Sequence, residues 1–199
     1  EARPERVLVV TAHPDDVDFG AAGTVATWVD AGATVTYCIC TDGQAGGSDR
    51  SISRTDMAVL CRREQVAAAK VLGVEDVRFL GHVDGELYPT HDLRRDISRV
   101  IRQVRPQRVL TQSPEIWWER FGASHPDHRA VGEATMNAVY PDARNPFAHP
   151  SLLADEGLIL PKKIGTVGAS YGGAKSMSLA ALKNRIMLPD GSLAPWKSP

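Results

Sequence analysis

No apolar run in this 199-residue chain approaches the roughly 20 residues that a membrane-spanning helix requires; the longest, around Val7–Val10, is the length of a strand. Basic residues show no excess. The 23 Lys and Arg stand against 24 Asp and Glu, a net charge of −1, which argues against a dedicated binder of nucleic acid or anionic membrane. Three cysteines are too few, and odd in number, for a disulfide framework. Cys38 and Cys40 lie two residues apart, where a mutual bridge is disfavoured. A reducing, cytoplasmic setting fits this cysteine usage best. The chain begins at Glu1 rather than methionine, which leaves a removed leader open. Internal repeats and low-complexity tracts are also missing. What remains, 43% hydrophobic and 24% charged residues, is the composition of an ordinary globular chain, and the length allows one to one and a half domains.

Residues 1–150 read as alternating strands and helices. Arg6–Thr11 is a short, β-branched apolar run of the kind buried on both faces. After His13-Pro14, helical spacing of small and apolar residues covers Gly20–Val29 and stops at Gly32. Thr34–Thr41 is a second strand, followed by a glycine-rich loop to Gly47. A helix is predicted over Thr55–Leu72, with a stripe of Met57, Leu60, Cys61, Val66, Ala67 and Val71. Asp76–Leu80 is a third strand, Asp92–Val104 an amphipathic helix, Gln107–Thr111 a fourth strand and Pro126–Val139 a helix with proline in its first turn. Cys38, Cys40 and Cys61 read as core residues, and His82, His91 and His149 as ordinary loop histidines.

Such units predict a Rossmann-like α/β fold: a doubly wound, mostly parallel sheet with helices on both faces. In the strand order 3-2-1-4 the first and fourth strands are neighbours, and ligands lie outside their carboxyl ends. The pattern sets residues 1–158 apart as a core. Residues 159–199 form a Gly/Ser/Ala/Lys-rich extension that could serve as lid, pairing strand or pocket wall, with one strand (Ile164–Val167) and one helix (Ser176–Ile186).

Two segments stand out. Ala12-His13-Pro14-Asp15-Asp16 follows strand 1, and His125-Pro126-Asp127-His128 follows strand 4 at the head of a helix. The sheet order brings both to one crevice. A catalytic zinc takes three His or carboxylate ligands and keeps a fourth position open for water. A His and a carboxylate three residues apart, with one His from the second segment, supply that number. The adjacent carboxylates Asp15 and Asp16 cannot easily both be ligands, so one is available as a base, and one of His125 and His128 is left for proton transfer.

These residues, with Asp18-Phe19-Gly20, Thr41-Asp42-Gly43, Gly46-Gly47, Arg63-Glu64-Gln65, Leu72-Gly73-Val74 and Asp84-Gly85, resemble the PIG-L/LmbE-like family of zinc-dependent N-acetylglucosaminyl deacetylases over roughly residues 5–158. The resemblance implies hydrolysis of an acetamide on a small-molecule amino-sugar substrate, with Zn2+ or another divalent metal such as Fe2+ as cofactor. It implies His13, Asp16 and His128 as metal ligands, Asp15 as general base, and His125 as oxyanion stabiliser and proton donor to the amine. Asp127 would orient a histidine. Asp84 and Trp117, with Arg62 or Arg63, are the substrate-binding candidates.

Two departures accompany the resemblance. Many relatives carry Glu directly after the paired Asp, where Val17 stands here with Asp18 one place on. Cys61 stands where the helix often offers an arginine. A related amidase acting on a thiol conjugate is the nearest alternative. A rival class is suggested by Gly168-Ala-Ser170-Tyr-Gly172, which matches the nucleophile elbow of serine hydrolases. No histidine follows His149 to serve Ser170 as a base. The loop after strand 1 carries His-Pro-Asp-Asp in place of the glycine fingerprint of a dinucleotide binder. Oligomeric state stays open, a homo-oligomer included.

Overall fold

The computed structural model describes residues 4–154, 165–169, 185–187 and 193–195. Five strands form one sheet: β1 (Arg6–Thr11), β2 (Thr34–Thr41), β3 (Asp76–His82), β4 (Arg108–Gln112) and β5 (Gly165–Ala169), in the order β3-β2-β1-β4-β5. Every pairing is parallel. The expected neighbours β1 and β4 therefore lie side by side at the centre, in register Val7 to Arg108 through Val10 to Thr111.

Alternation along β1 divides the core in two. Leu8, Val10 and Ala12 point to the face covered by α4 (His91–Val104) and α5 (Pro126–Val139), where they meet Leu93, Ile97, Ile101, Val131, Ala134 and Ala138. Val7 and Val9 point to the other face, with Val25 of α2 (Ala22–Asp30), Ala69 of α3 (Arg54–Val71), Tyr37, Ile39 and Leu110. Burial on both faces accounts for the unbroken apolar runs of a parallel sheet. Ser53 and Thr90 cap α3 and α4 through side-chain oxygens that accept from Asp56 N–H and Leu93 N–H.

Several expectations need adjustment. The helix read over Gly20–Val29 starts earlier and is broken: α1 spans Asp16–Gly20 and α2 begins at Ala22, with Ala21 between them in a non-helical conformation at φ −146° and ψ 0°. The stripe on α3 holds in its first half, where Met57, Leu60 and Cys61 are half-buried, and drifts out of phase in its second, where Val66, Ala67 and Val71 are exposed. Gln65 and Ala69 are the buried positions, whereas Val66 and Val71 are 48% and 85% exposed, because the inward face of this helix meets a polar loop as well as the sheet. Cys38 and Cys40 are buried as expected, while Cys61 is only half-buried, its Sγ 3.7 Å from the Gly43 carbonyl oxygen. His149 is buried against Asp142, and His82 ends β3 paired with Asp96.

Pro114–Ser124 carries a 3-10 segment (Trp118–Ala123), and a short α6 covers Pro150–Ala154. In the extension, β5 joins the edge of the main sheet, where a strand over 164–167 was expected. Arg185 and Ile186, read as the end of a helix, instead belong to β6 (Arg185–Met187), which pairs antiparallel with β7 (Leu193–Pro195). The rest of that predicted helix and Ser170 lie outside the described residues. Among the described residues no helix is long and apolar enough to cross a membrane.

Candidate metal centre

The ends of β1 and β4 are tied together before any site residue is considered: Gln112 Oε1 accepts from the Ala12 N–H at 3.0 Å. Directly beyond Ala12 the chain turns through His13 and Pro14 into α1, and directly beyond the β4 loop His125 caps α5. Helix α5 presses on the end of β4 so closely that a Cβ at Gly132 would collide with the Gln112 carbonyl oxygen. Gly43 fits the β2 loop against Pro14 and Cys61 at a φ of +67°, a conformation open to glycine.

His13, Asp16 and His128 form a chain of contacts. Asp16 Oδ2 accepts from the His13 backbone N–H at 2.8 Å and lies 3.6 Å from His13 Nδ1; Asp16 Oδ1 lies 2.9 Å from His128 Nε2. Ligands about 2.1 Å from a tetrahedral zinc stand about 3.4 Å from one another; the two separations at Asp16 bracket that value, each through a different carboxylate oxygen. The opposite nitrogen of His13, Nε2, lies 3.1 Å from both Asp84 Oδ1 and Asp127 Oδ2. Asp127 is fully buried, and its oxygens also accept from the Gly85 N–H (2.8 Å) and the Leu87 N–H (3.3 Å). Carboxylates at Nε2 hold a proton there, so Nδ1 is the nitrogen that a metal would take, displacing the proton it carries when no metal is bound.

His125 sits apart from this chain and is exposed. Its Nδ1 accepts from the Asp127 N–H at 3.2 Å, so a neutral ring carries its proton on Nε2. The rings of His13, His125 and His128 are mutually 5.0–5.2 Å apart. Nitrogens of these three histidines lie within 4.8 Å of one another, as do donor atoms of His13, Asp84 and Asp127. Asp15 is exposed beside them, in the left-handed region at φ +82°.

The electrostatics favour a cation. Burial alone would lower the His13 pKa, but Asp16, Asp127 and Asp84 outweigh it and push it up to about 9. Burial works against ionised Asp16 too, yet hydrogen bonds from His128 and His13 hold its carboxyl well below the usual range. Burial and the neighbouring Asp16 raise Asp15. Burial, helped by His13 and His128, lowers His125 and keeps it neutral near pH 7. A field that holds positive charge on an imidazole among carboxylates suits a divalent metal, and the donor set of imidazole nitrogens and carboxylate oxygens suits zinc or iron.

The remaining sequence candidates are placed less centrally. Asp84 is inside the cluster, and its Oδ2 accepts from the Ala45 N–H at 3.0 Å. The Arg62 fork is engaged by Asp42, through Nε and Nη2 at 2.8 Å each, and lies over the Phe79 ring. Arg63 is exposed on the outer side of α3. Trp117 is half-buried before the 3-10 segment, its backbone N–H donating to Ser124 Oγ at 2.9 Å. A groove of about 270 Å³ adjoins Asp127, lined by Tyr88, Pro89, Pro114, Arg129 and Glu133 among others. Gln65 enters the sequence reading only as part of a motif, with no role; its buried amide takes the Asp15 N–H, and a glutamine on the inward face of the helix was the available signal.

A doubly wound sheet with His/Asp clusters at the β1/β4 switch point defines an α/β protein whose ligand crevice carries metal-binding side chains, and comparison makes the class specific. The model of the PIG-L family, described as GlcNAc-PI de-N-acetylase, matches residues 8–139, and the chain belongs to this family. Diacetylchitobiose deacetylase of Thermococcus kodakarensis is 34% identical over 167 residues, 84% of this chain and 60% of the relative. A probable N-acetyl-alpha-D-glucosaminyl L-malate deacetylase 2 of Bacillus cereus is 35% identical over 150 residues, 72% of this chain and 66% of the relative. Among solved structures, N,N'-diacetylchitobiose deacetylase from Pyrococcus horikoshii, in complex with its inhibitor MPG, superposes with a TM-score of 0.77 at 30% identity. That match covers 83% of this chain and 60% of that one. The chain thus spans about 60% of the length of the diacetylchitobiose deacetylases it matches.

Proposed function

We propose that this chain is a metal-dependent hydrolase that removes the acetyl group from an N-acetylglucosamine-type sugar or glycoconjugate. The observation that carries the reading is the contact chain His13–Asp16–His128, drawn from two segments at the ends of adjacent central strands. His13 through Nδ1, Asp16 and His128 would hold the metal, zinc or Fe2+, with Asp127 fixing the His13 ring. When bound, such an ion supplies Lewis acidity toward the acetyl carbonyl and makes water at the site more acidic.

The protein groups left over match the remaining tasks. Asp15 is exposed while the proposed ligands are half-buried, so it is the carboxylate that can meet an attacking water and take its proton. His125 presents Nε2–H, because Nδ1 is engaged by the Asp127 N–H. It can donate to the carbonyl oxygen as negative charge develops there, and the proton that Asp15 took from water, passed on to the nitrogen, lets the amine leave. Acetate and a free amino sugar are the products. Relatives named for chitobiose, for glucosaminyl malate and for an inositol glucosaminide support a glucosamine-type substrate.

The groove beside Asp127 offers room for the rest of that substrate, with Tyr88, Arg129 and Glu133 in its lining; Asp84, Trp117, Arg62 and Arg63, the substrate-binding candidates of the sequence, lie outside that lining. Residues 1–158 form the catalytic core in this reading, and the extension adds β5 to its sheet. A cytoplasmic location agrees with its free cysteines. Amine release from a panel of acetylated glucosaminides, with and without a chelator, tests the proposal. Asp15→Ala should abolish turnover and keep the metal, whereas His13→Ala should lose both. Turnover that survives complete metal removal refutes it.

A further inference from the structure

We infer that Gln65, in partnership with Asp18, is the positioning residue that aims Asp15; this rests on the reading of Asp15 as the base. Gln65 is 1% exposed on the inward face of α3. Its Oε1 accepts from the Asp15 backbone N–H at 2.6 Å, and its Nε2 donates to Asp18 Oδ2 at 3.4 Å. The two partners demand the same orientation of the amide, since an N–H needs its oxygen and a carboxylate needs its nitrogen.

The Asp15 carboxylate itself takes no hydrogen bond among the described residues, so its direction is set by its backbone. That backbone is in the left-handed region at φ +82°, which a non-glycine residue keeps only when its surroundings enforce it. On the carbonyl side the enforcement is α1, whose Asp18 and Phe19 N–H groups donate to the Asp15 oxygen at 2.8 and 3.1 Å. On the amide side it is Gln65. The same arrangement gives a physical reason for the departure after the paired Asp. Val17 is buried in the core beneath α1, so the acidic partner of Gln65 comes from the next position, which faces α3.

The test uses metal-loaded enzyme and an N-acetylglucosaminide that the wild type turns over, with kcat, KM and bound metal measured together. Gln65→Leu keeps the volume and removes the acceptor. A displacement of the base by about 1 Å costs on the order of 100-fold, so kcat falls by about that factor while KM and metal content hold. Gln65→Glu places a carboxylate against Asp18 and lowers kcat; Gln65→Glu with Asp18→Asn restores a complementary pair and returns most of it. A wild-type kcat in Gln65→Leu, a loss of metal in step with kcat, or no recovery in the double variant overturns the inference. Should Gln65→Leu fail to fold, the comparison of Gln65→Glu with the double variant decides. An active Asp15→Asn enzyme would instead remove the reading of Asp15 on which this rests.

Discussion

Asp127 offers a sharp test of how the cluster is built, because each of its contacts is separately countable. Asp127→Asn preserves shape and removes one charge. The native carboxylate accepts from Gly85 N–H, Leu87 N–H and His13 Nε2, and an asparagine has one oxygen and one NH2 with which to replace them. At least one buried backbone N–H must then face another donor, a loss of about 1–3 kcal/mol. For a chain of this length that lowers Tm by roughly 2–4 °C per kcal/mol. The metal should suffer as well, since removing the carboxylate behind a ligating histidine typically costs 10–100-fold in affinity. Asp84 remains on the same nitrogen at 3.1 Å, so we expect the lower end, about tenfold. Metal-dependent activity titrated against buffered free zinc measures this directly. The variant's half-saturation point should shift upward by that factor, with kcat largely restored in excess metal. An unchanged half-saturation point alongside a lowered Tm would show that Asp127 is only a brace for the 85–87 loop.

Other regions give independent expectations. Arg102 is 1% exposed and donates to the carbonyls of Asp142, Ala143, Asn145, Ala148 and His149. Arg102→Met should cost several kcal/mol, at about 1–3 kcal/mol per stranded buried group, and open residues 142–149 to protease; a resistant loop in the variant would contradict this. Burial lowers the pKa of His149 despite Asp142 at 3.1 Å, with the charges of His91 and Arg102 also opposing its protonation. The unfolded chain therefore binds the proton more readily, and this contribution to stability is lost as pH falls below about 6.5. His149→Gln should flatten the decline in Tm between pH 7 and pH 5 relative to wild type, and an unaltered decline would refute the assignment.

What the sequence made legible follows from which physical signals are local. Strands β1, β2 and β4 are short apolar runs buried on both faces, and their order follows from general rules of parallel sheets, so the meeting of His13–Asp16 with His125–His128 could be anticipated. Helix α4 was placed correctly because Leu93, Ile97, Val100 and Ile101 join one apolar cluster with β1 and α5. The second half of helix α3 was misphased because its inward face spends Gln65 on the Asp15 loop, a tertiary partner that hydrophobic periodicity cannot register. Asp84 was legible only as a substrate-binding candidate, and it is the fold of the β3 loop over the crevice that brings it to His13. The same holds for Arg102, one of several charged residues between the apolar positions of α4, which in the structure donates to five carbonyls.

Anomalous diffraction from crystals of the metal-loaded protein, collected on both sides of the zinc edge, addresses the central claim most directly. The account predicts one strong peak per chain, bonded to His13 Nδ1, an Asp16 oxygen and a His128 nitrogen, with Asp15 and His125 near but unbound. A peak seated elsewhere, or ligated through His13 Nε2 with Asp84 and Asp127 instead, would contradict it.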